Sequence, residues 1–203
     1  IADRVRAIAV SGNDVYVGGD FKNTAGIPEA DHVAKWNGVV WSALGSSGAG
    51  LGAIGTNVFA LVINGGDLYV GGAYTLVKWN GAAWSAVGGS ALNGNISSTV
   101  FALAWNGGSL YVGGYFQDVA GIPEADYLVK WNGAAWSALG SNGSGNGALN
   151  GPVSSIAVSG SDFYAGGTFT GTVGIPAATE LAKWNGTSWS AVGNPIFNYT
   201  VYA

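Results

Sequence analysis

Few side chains in this chain of 203 residues could do chemistry, and they are thinly spread. There is one histidine, His32, and no cysteine. Composition therefore rules out a histidine-based metal cluster and all thiolate chemistry. Carboxylates remain. Glu29 and Asp31 lie in a Pro-Glu-Ala-Asp segment that returns as Glu124 and Asp126. A pair of carboxylates flanking a sugar linkage is the machinery of glycoside cleavage, so Glu29 and Glu124 would serve if the fold brought them together. Carboxylates two apart beside backbone carbonyls could also hold Ca2+, a cation that takes only oxygen ligands. The stretch lacks the closely spaced acids of a calcium loop, and Asp after a turn readily accepts backbone N–H groups. Turn capping is the expected role, and no cofactor is expected. A Ser-His-Asp triad through His32 would need unrelated loops to converge, and no nucleophile-elbow motif is present. The expectation is a chain that is not an enzyme.

Eight of the nine tryptophans sit in four copies of Lys-Trp-Asn-Gly-x-x-Trp-Ser-Ala-[Leu/Val]-Gly, starting at Lys35, Lys78, Lys130 and Lys183. Indoles suit sugar rings, but eight at matching positions are better read as wedges in a core. The first Trp of each copy (Trp36, Trp79, Trp131, Trp184) recurs after 43, 52 and 53 residues. A period of this size signals a repeat architecture. Trp105 stands outside the pattern, where the other repeats have Val10, Ile63 and Val158, and reads as a filler at the axis.

Four repeats follow, at about 1–57, 58–99, 100–152 and 153–203, each with four strand signals. The first strand is apolar and rich in small residues. The second ends in Gly-Gly, the third in Lys-Trp, and the fourth contains Trp-Ser-Ala. Asn-Gly between the third and fourth predicts a two-residue type I′ hairpin, with φ > 0 at both central positions. The expected fold is all-β, a β-propeller of four-stranded antiparallel blades, over residues 1–203 as one array. Four repeats either close on themselves or form part of a larger ring. The last residues, Pro195–Ala203, read as the first strand of a fifth repeat, and an open array would expose sheet edges that invite self-association. The chain begins at Ile1 and holds no methionine, which suggests a processed or excised product.

Antiparallel order places the long connections, strand two to three and repeat to repeat, on one face. Repeat 2 lacks about ten residues there, which would leave a notch. Scaffolds with variable loops on one face bind through them. The candidate binding residues are therefore Lys22, Asn23, Glu29, Asp31 and His32 of repeat 1, and Gln117, Asp118, Glu124 and Asp126 of repeat 3. The repeated lysines are expected on the solvated side or over a neighbouring blade's aromatic ring. Asp14, Asp67 and Asp162 are expected to serve the turns they follow.

Charged residues make up 9% of the chain and hydrophobic ones 48%, which excludes disorder. A net charge of −4 argues against nucleic acid as a partner. The longest apolar runs have strand length, short of the ~20 residues of a membrane helix. Expected partners are a protein or surface glycan, or a second copy through exposed blade edges. The Gly-Gly doublet (Gly18-Gly19), the third-strand aromatic (Trp36) and the fourth-strand Trp (Trp41) resemble the kelch repeat. The third-strand residue is Trp where kelch has Tyr. The wider pattern is similar to repeats of large secreted or surface-anchored bacterial proteins. That resemblance implies an extracellular, non-catalytic scaffold, adhesion or assembly module, with a lectin-like binder or a glycan-active enzyme as its rivals.

Overall fold

The computed structural model describes residues 1–48, 50–89, 96, 98–172, 174–175, 178–193 and 201–202. Each repeat folds as a four-stranded antiparallel meander, the blade expected from its turn and strand signals. Blade 1 comprises β1 (Val5–Ser11), β2 (Asp14–Gly19), β3 (Val33–Trp36) and β4 (Trp41–Ala43), followed by a small ribbon of β5 (Ser46–Gly48) and β6 (Leu51–Gly52). Blade 2 comprises β7 (Val58–Asn64), β8 (Asp67–Gly72), β9 (Thr75–Trp79) and β10 (Trp84–Ala86). Blade 3 has β11 (Thr99–Asn106), β12 (Ser109–Tyr115), β13 (Leu128–Trp131) and β14 (Trp136–Ala138). Blade 4 has β15 (Val153–Ser159), β16 (Asp162–Gly167), β17 (Leu181–Trp184) and β18 (Trp189–Ala191). Blades 1 and 2 form one compact unit, Ile1–Gly94, and blades 3 and 4 another, Asn95–Ala203. No helix among the described residues is long and apolar enough to cross a membrane.

The Gly-Gly doublet shows why blades can stack. A Cβ on Gly18 would run into Val58 of the next blade, and one on Gly113 would lie 2.7 Å from Val153. The first glycine is thus a seat for the neighbouring blade's first strand. The second glycine faces its own chain. A Cβ on Gly19, Gly72, Gly114 or Gly167 would strike the carbonyl of Arg4, Asn57, Thr99 or Pro152. Three of these carbonyls accept the next N–H along, from Asp20, Ala73 and Thr168, at 3.0–3.1 Å. Val58 and Val153 are wholly buried in their seats. Each contributes about 1.5–3 kcal/mol by burial.

The tryptophans act as the expected wedges. Paired across β3 and β4, Trp36 and Trp41 have ring centroids 5.5 Å apart, and the other blades repeat the pair at 5.1–5.2 Å. The second Trp also reaches the preceding blade. Trp84 Nε1 donates to the Leu44 carbonyl at 2.5 Å, and Trp189 Nε1 to the Leu139 carbonyl at 2.7 Å. Each acceptor belongs to the Trp-Ser-Ala-Leu-Gly end of its own repeat, so that motif both ends one blade and receives the next. Trp105 lies near the end of β11, opposite Leu110, and is half-buried.

Three expectations require correction. The Asn-Gly hairpins are not type I′ with both residues left-handed. Gly38 has φ +94°, whereas Asn37 stays outside the left-handed region. Its side-chain Oδ1 instead accepts from the N–H groups of Val39 and Val40 at 3.0 and 2.9 Å, and all four hairpins repeat this cap. The amide oxygen does more as an acceptor at the corner than Asn would as a left-handed centre. Second, Asp14, Asp67 and Asp162 pair with Lys35, Lys78 and Lys183 at 2.6, 2.8 and 2.6 Å, across β2 and β3 and their equivalents. Third, the rings beneath the lysines belong to the same blade. Lys35 lies 5.7 Å from Tyr16, and Lys183 and Lys130 each lie 5.9 Å from Tyr164 and Tyr111. Cross-strand neighbours are the nearest available partners. The hydrogen bond to aspartate raises all three paired lysines above their ordinary value.

Overpacking is the test of the seat. Gly113→Val is expected to destabilise the chain by about 1–3 kcal/mol in urea unfolding, whereas Gly66→Ala, with open space around it and no left-handed backbone, serves as a turn control with a smaller effect. The Arg6 guanidinium, bonded to Asp20 at 2.6 Å, holds that carboxyl below its ordinary value. Its stabilisation is present above the unfolded-state value and lost as pH falls through the folded one, so Asp20→Asn is expected to flatten the acid limb of a stability profile.

Candidate functional site

The loop between β2 and β3 is built around one carboxylate. Asn23 and Ala25 hold φ of 50° and 55°, and in blade 3 Asp118 and Ala120 hold 52° and 56°. Such conformations disfavour ordinary side chains and persist only where the surroundings impose them. Asp31, only 6% exposed, accepts the Asn23 N–H at 2.8 Å. Asp126, 4% exposed, accepts the Asp118 N–H at 3.0 Å. Both aspartates also brace the linker to the next blade. The second oxygen of Asp126 accepts the Gly147 N–H at 3.2 Å, and a Cβ on Gly52 would come within 2.9 Å of Asp31 Cβ. Among the described residues no group of three or more His, Cys, Asp or Glu side chains could hold a metal ion.

Loop and linker enclose one cleft in each unit. That of the first unit, about 300 Å3, is lined by Lys22, Asp31, His32, Leu51 and Ile54 among others. That of the second is larger, about 460 Å3. The two have a common plan. Lys22, His32, Leu51 and Gly55 are answered, each 95 positions later, by Gln117, Tyr127, Asn146 and Asn150. One scaffold therefore carries two linings. The first sets Lys22, Asp31 and His32 among aliphatic side chains, with His32 buried and its Nδ1 3.3 Å from the Gly19 carbonyl. The second is dominated by amides, hydroxyls and a phenol.

In the second cleft the linker curls on itself, with Asn142 Oδ1 accepting the N–H groups of Ser144 and Asn146 at 2.7 and 3.1 Å. The loop of blade 4 is tied to it by a reciprocal pair. Asn150 Nδ2 donates to Thr170 Oγ1 at 2.9 Å, and the Thr170 N–H donates to Asn150 Oδ1 at 2.8 Å. These contacts leave Asn142 Nδ2 and the Asn146 side-chain amide without a partner among the described residues. Thr172, 6% exposed, lines the same cleft, and its buried Oγ1 has no hydrogen-bond partner among the described residues. Gln117 Nε2 donates to the Tyr127 hydroxyl at 3.4 Å. Burial raises the Tyr127 phenol above its ordinary value, so it stays a neutral donor. Beyond Tyr127 and Gln117 a second hollow of about 210 Å3 opens, walled by Tyr115, which is 59% exposed. The Tyr115 and Tyr127 rings lie 6.4 Å apart.

Of the nine residues singled out in the sequence, five line a cleft: Lys22, Asp31 and His32 in one, Gln117 and Asp126 in the other. Asn23 and Asp118 serve the loop backbone. Glu29 and Glu124 are half-buried, line neither cleft and belong to different units. The deleted loop of repeat 2 is a two-residue turn, Ala73-Tyr74, with Tyr74 67% exposed. Sequence reading missed Tyr115, Tyr127, Asn142, Asn146, Asn150 and Thr172. The available signal was the contrast between repeats 1 and 3, where otherwise parallel segments exchange His for Tyr and Leu for Asn.

No family model and no curated protein matches the chain. Solved structures of propeller type do. The extracellular domain of a hybrid two-component system from B. thetaiotaomicron superposes with a TM-score of 0.59 at 14% identity, covering 96% of this chain and 22% of that one. An ancestral GH74 enzyme gives 0.58 at 16%, covering 94% and 24%. YjhT gives 0.56 at 14%, covering 97% and 67%. This chain thus spans about a quarter of the first two. At such identities the likeness is one of fold, and it agrees with the blades described above.

Asp126→Ala removes the acceptor of two backbone N–H groups in a buried site. It is expected to cost about 2 kcal/mol in thermal or urea unfolding, and to raise amide exchange at Asp118 and Gly147.

Proposed function

We propose that this chain is a non-catalytic, extracellular propeller module of kelch-like repeats, whose blades are scaffold and whose second-unit cleft binds a neutral, hydroxyl-rich ligand such as a surface glycan. The observation that carries this reading is the lining of that cleft. The solvent-open side-chain amides of Asn142 and Asn146 and the buried, unpartnered hydroxyl of Thr172 line the same space as the half-buried phenol of Tyr127. Apart from Asp126, whose oxygens are engaged by backbone N–H groups, that lining is uncharged. Sugars match such a set, offering paired donors and acceptors on each ring and an apolar face for an aromatic side chain. The adjacent hollow beside Tyr115 extends the site to more than one ring. The kelch-like pattern of Gly18-Gly19, Trp36 and Trp41 supports an extracellular scaffold of the kind seen in secreted bacterial repeat proteins.

Glycan-array screening of the purified chain, followed by calorimetry with the best neutral oligosaccharide, tests the reading. Tyr127→Ala and Asn146→Ala are each expected to weaken binding about tenfold, the equivalent of about 1.4 kcal/mol, while Glu29→Gln and Glu124→Gln leave it unchanged. Affinity is expected to be flat between about pH 6 and 9, because the Tyr127 phenol stays protonated there. Release of new reducing ends from a bound glycan, abolished in the Glu29→Gln/Glu124→Gln double variant, would replace the proposal with a catalytic one.

A further inference from the structure

Blade packing inside each unit obeys one rule, and blade 1 presents half of it unused. In blade 2, Val58 and Leu61 cover Gly18 of blade 1; in blade 4, Val153 and Ile156 cover Gly113 of blade 3. The same two positions in blade 1 are Val5 and Ile8, which stay 39% and 63% exposed. The second Trp follows the same division. Trp84 and Trp189 each donate to a carbonyl of the preceding blade, whereas the Trp41 indole N–H has no acceptor among the described residues. The face of blade 1 therefore carries both knobs and the donor of the interface that the described residues make inside each unit. Its complement must offer a Gly-Gly seat and the carbonyl that follows Trp-Ser-Ala.

Blade 4 offers such a seat at Gly166. A Cβ there would meet Ser155 Oγ of its own blade at 2.6 Å and then Val201 Cγ1 at 2.9 Å, the second much as one on Gly113 lies 2.7 Å from Val153. Val201 thus lies at the knob position of this seat. The fifth-repeat strand expected over Pro195–Ala203 lies outside the described residues except at Val201 and Tyr202.

We propose that the chain self-associates head to tail, the Val5/Ile8 face of one copy seating on Gly166 of a second copy in competition with that copy's own Val201. The contact is heterologous and continues the blade-to-blade interface already present, so it can propagate beyond a dimer. It involves no residue of the glycan-type cleft and stands or falls separately from that reading. Charged and polar residues do not drive it; the apolar knobs do, and a carboxylate placed among them would be left buried without a partner.

Sedimentation velocity over a concentration series on the full chain tests this. Val201→Gly, which empties the seat without adding charge, is expected to tighten self-association about tenfold, and deletion of everything after Gly193 is expected to do the same. Ile8→Asp is expected to abolish association in the wild-type and Val201→Gly backgrounds alike, with the circular dichroism spectrum unchanged. The proposal is overturned if both seat-emptying variants associate no more tightly than the wild type. Oligomers that survive Ile8→Asp would overturn it equally. So would a chain that stays monomeric at every concentration.

Discussion

Everything in this architecture depends on the absence of two Cβ atoms per repeat. At the end of the second strand the first glycine of blades 1 and 3 leaves room for the next blade of the same unit, and the second glycine of all four blades leaves room for a carbonyl of its own blade. Any side chain at either point would separate strands that must touch. Once two blades lie this close, the outer strands must diverge, and a large side chain is needed to fill the widening gap. The tryptophan pair does so, and the indole N–H closes the contact by bonding the preceding blade's carbonyl. Small residues at one end of the blade and large ones at the other are consequences of one packing geometry.

The blades were legible because their signals are local and repeated. Gly-Gly, Lys-Trp, Asn-Gly and Trp-Ser-Ala each specify a backbone conformation or a cross-strand pair, and four copies remove ambiguity about register. What was not legible was how these residues share work. Asn-Gly points to a left-handed turn residue at Asn37; its amide oxygen instead caps two N–H groups. Asp14 follows a turn and so suggests a role in it, although Lys35 across the strand is the partner it takes. In both cases the choice lies between two local hydrogen-bonding schemes of similar energy, and the three-dimensional neighbour decides.

The cleft was harder still. Its walls come from a loop of blade 3, a linker and a loop of blade 4, brought together only by the fold. The residues that attracted notice were charged ones, yet Asp31 and Asp126 hold the loops in shape, and Glu29 and Glu124 stand outside the clefts. The informative residues were plain ones. Tyr127 and Asn146 gain meaning only beside His32 and Leu51, their counterparts in the first unit. A duplicated scaffold lets one copy keep its packing while the other changes its lining, so the difference between copies marks the site better than what they have in common.

The most direct measurement is an NMR titration of the full chain with neutral oligosaccharides, followed through the side-chain amides of Gln117, Asn142, Asn146 and Asn150. Saturable shifts confined to those amides and to the Tyr127 ring, with Lys22 and His32 unmoved, are the expected result. Shifts centred on the first-unit cleft or on the tryptophan pairs, or no saturable shift with any neutral sugar, would contradict the account.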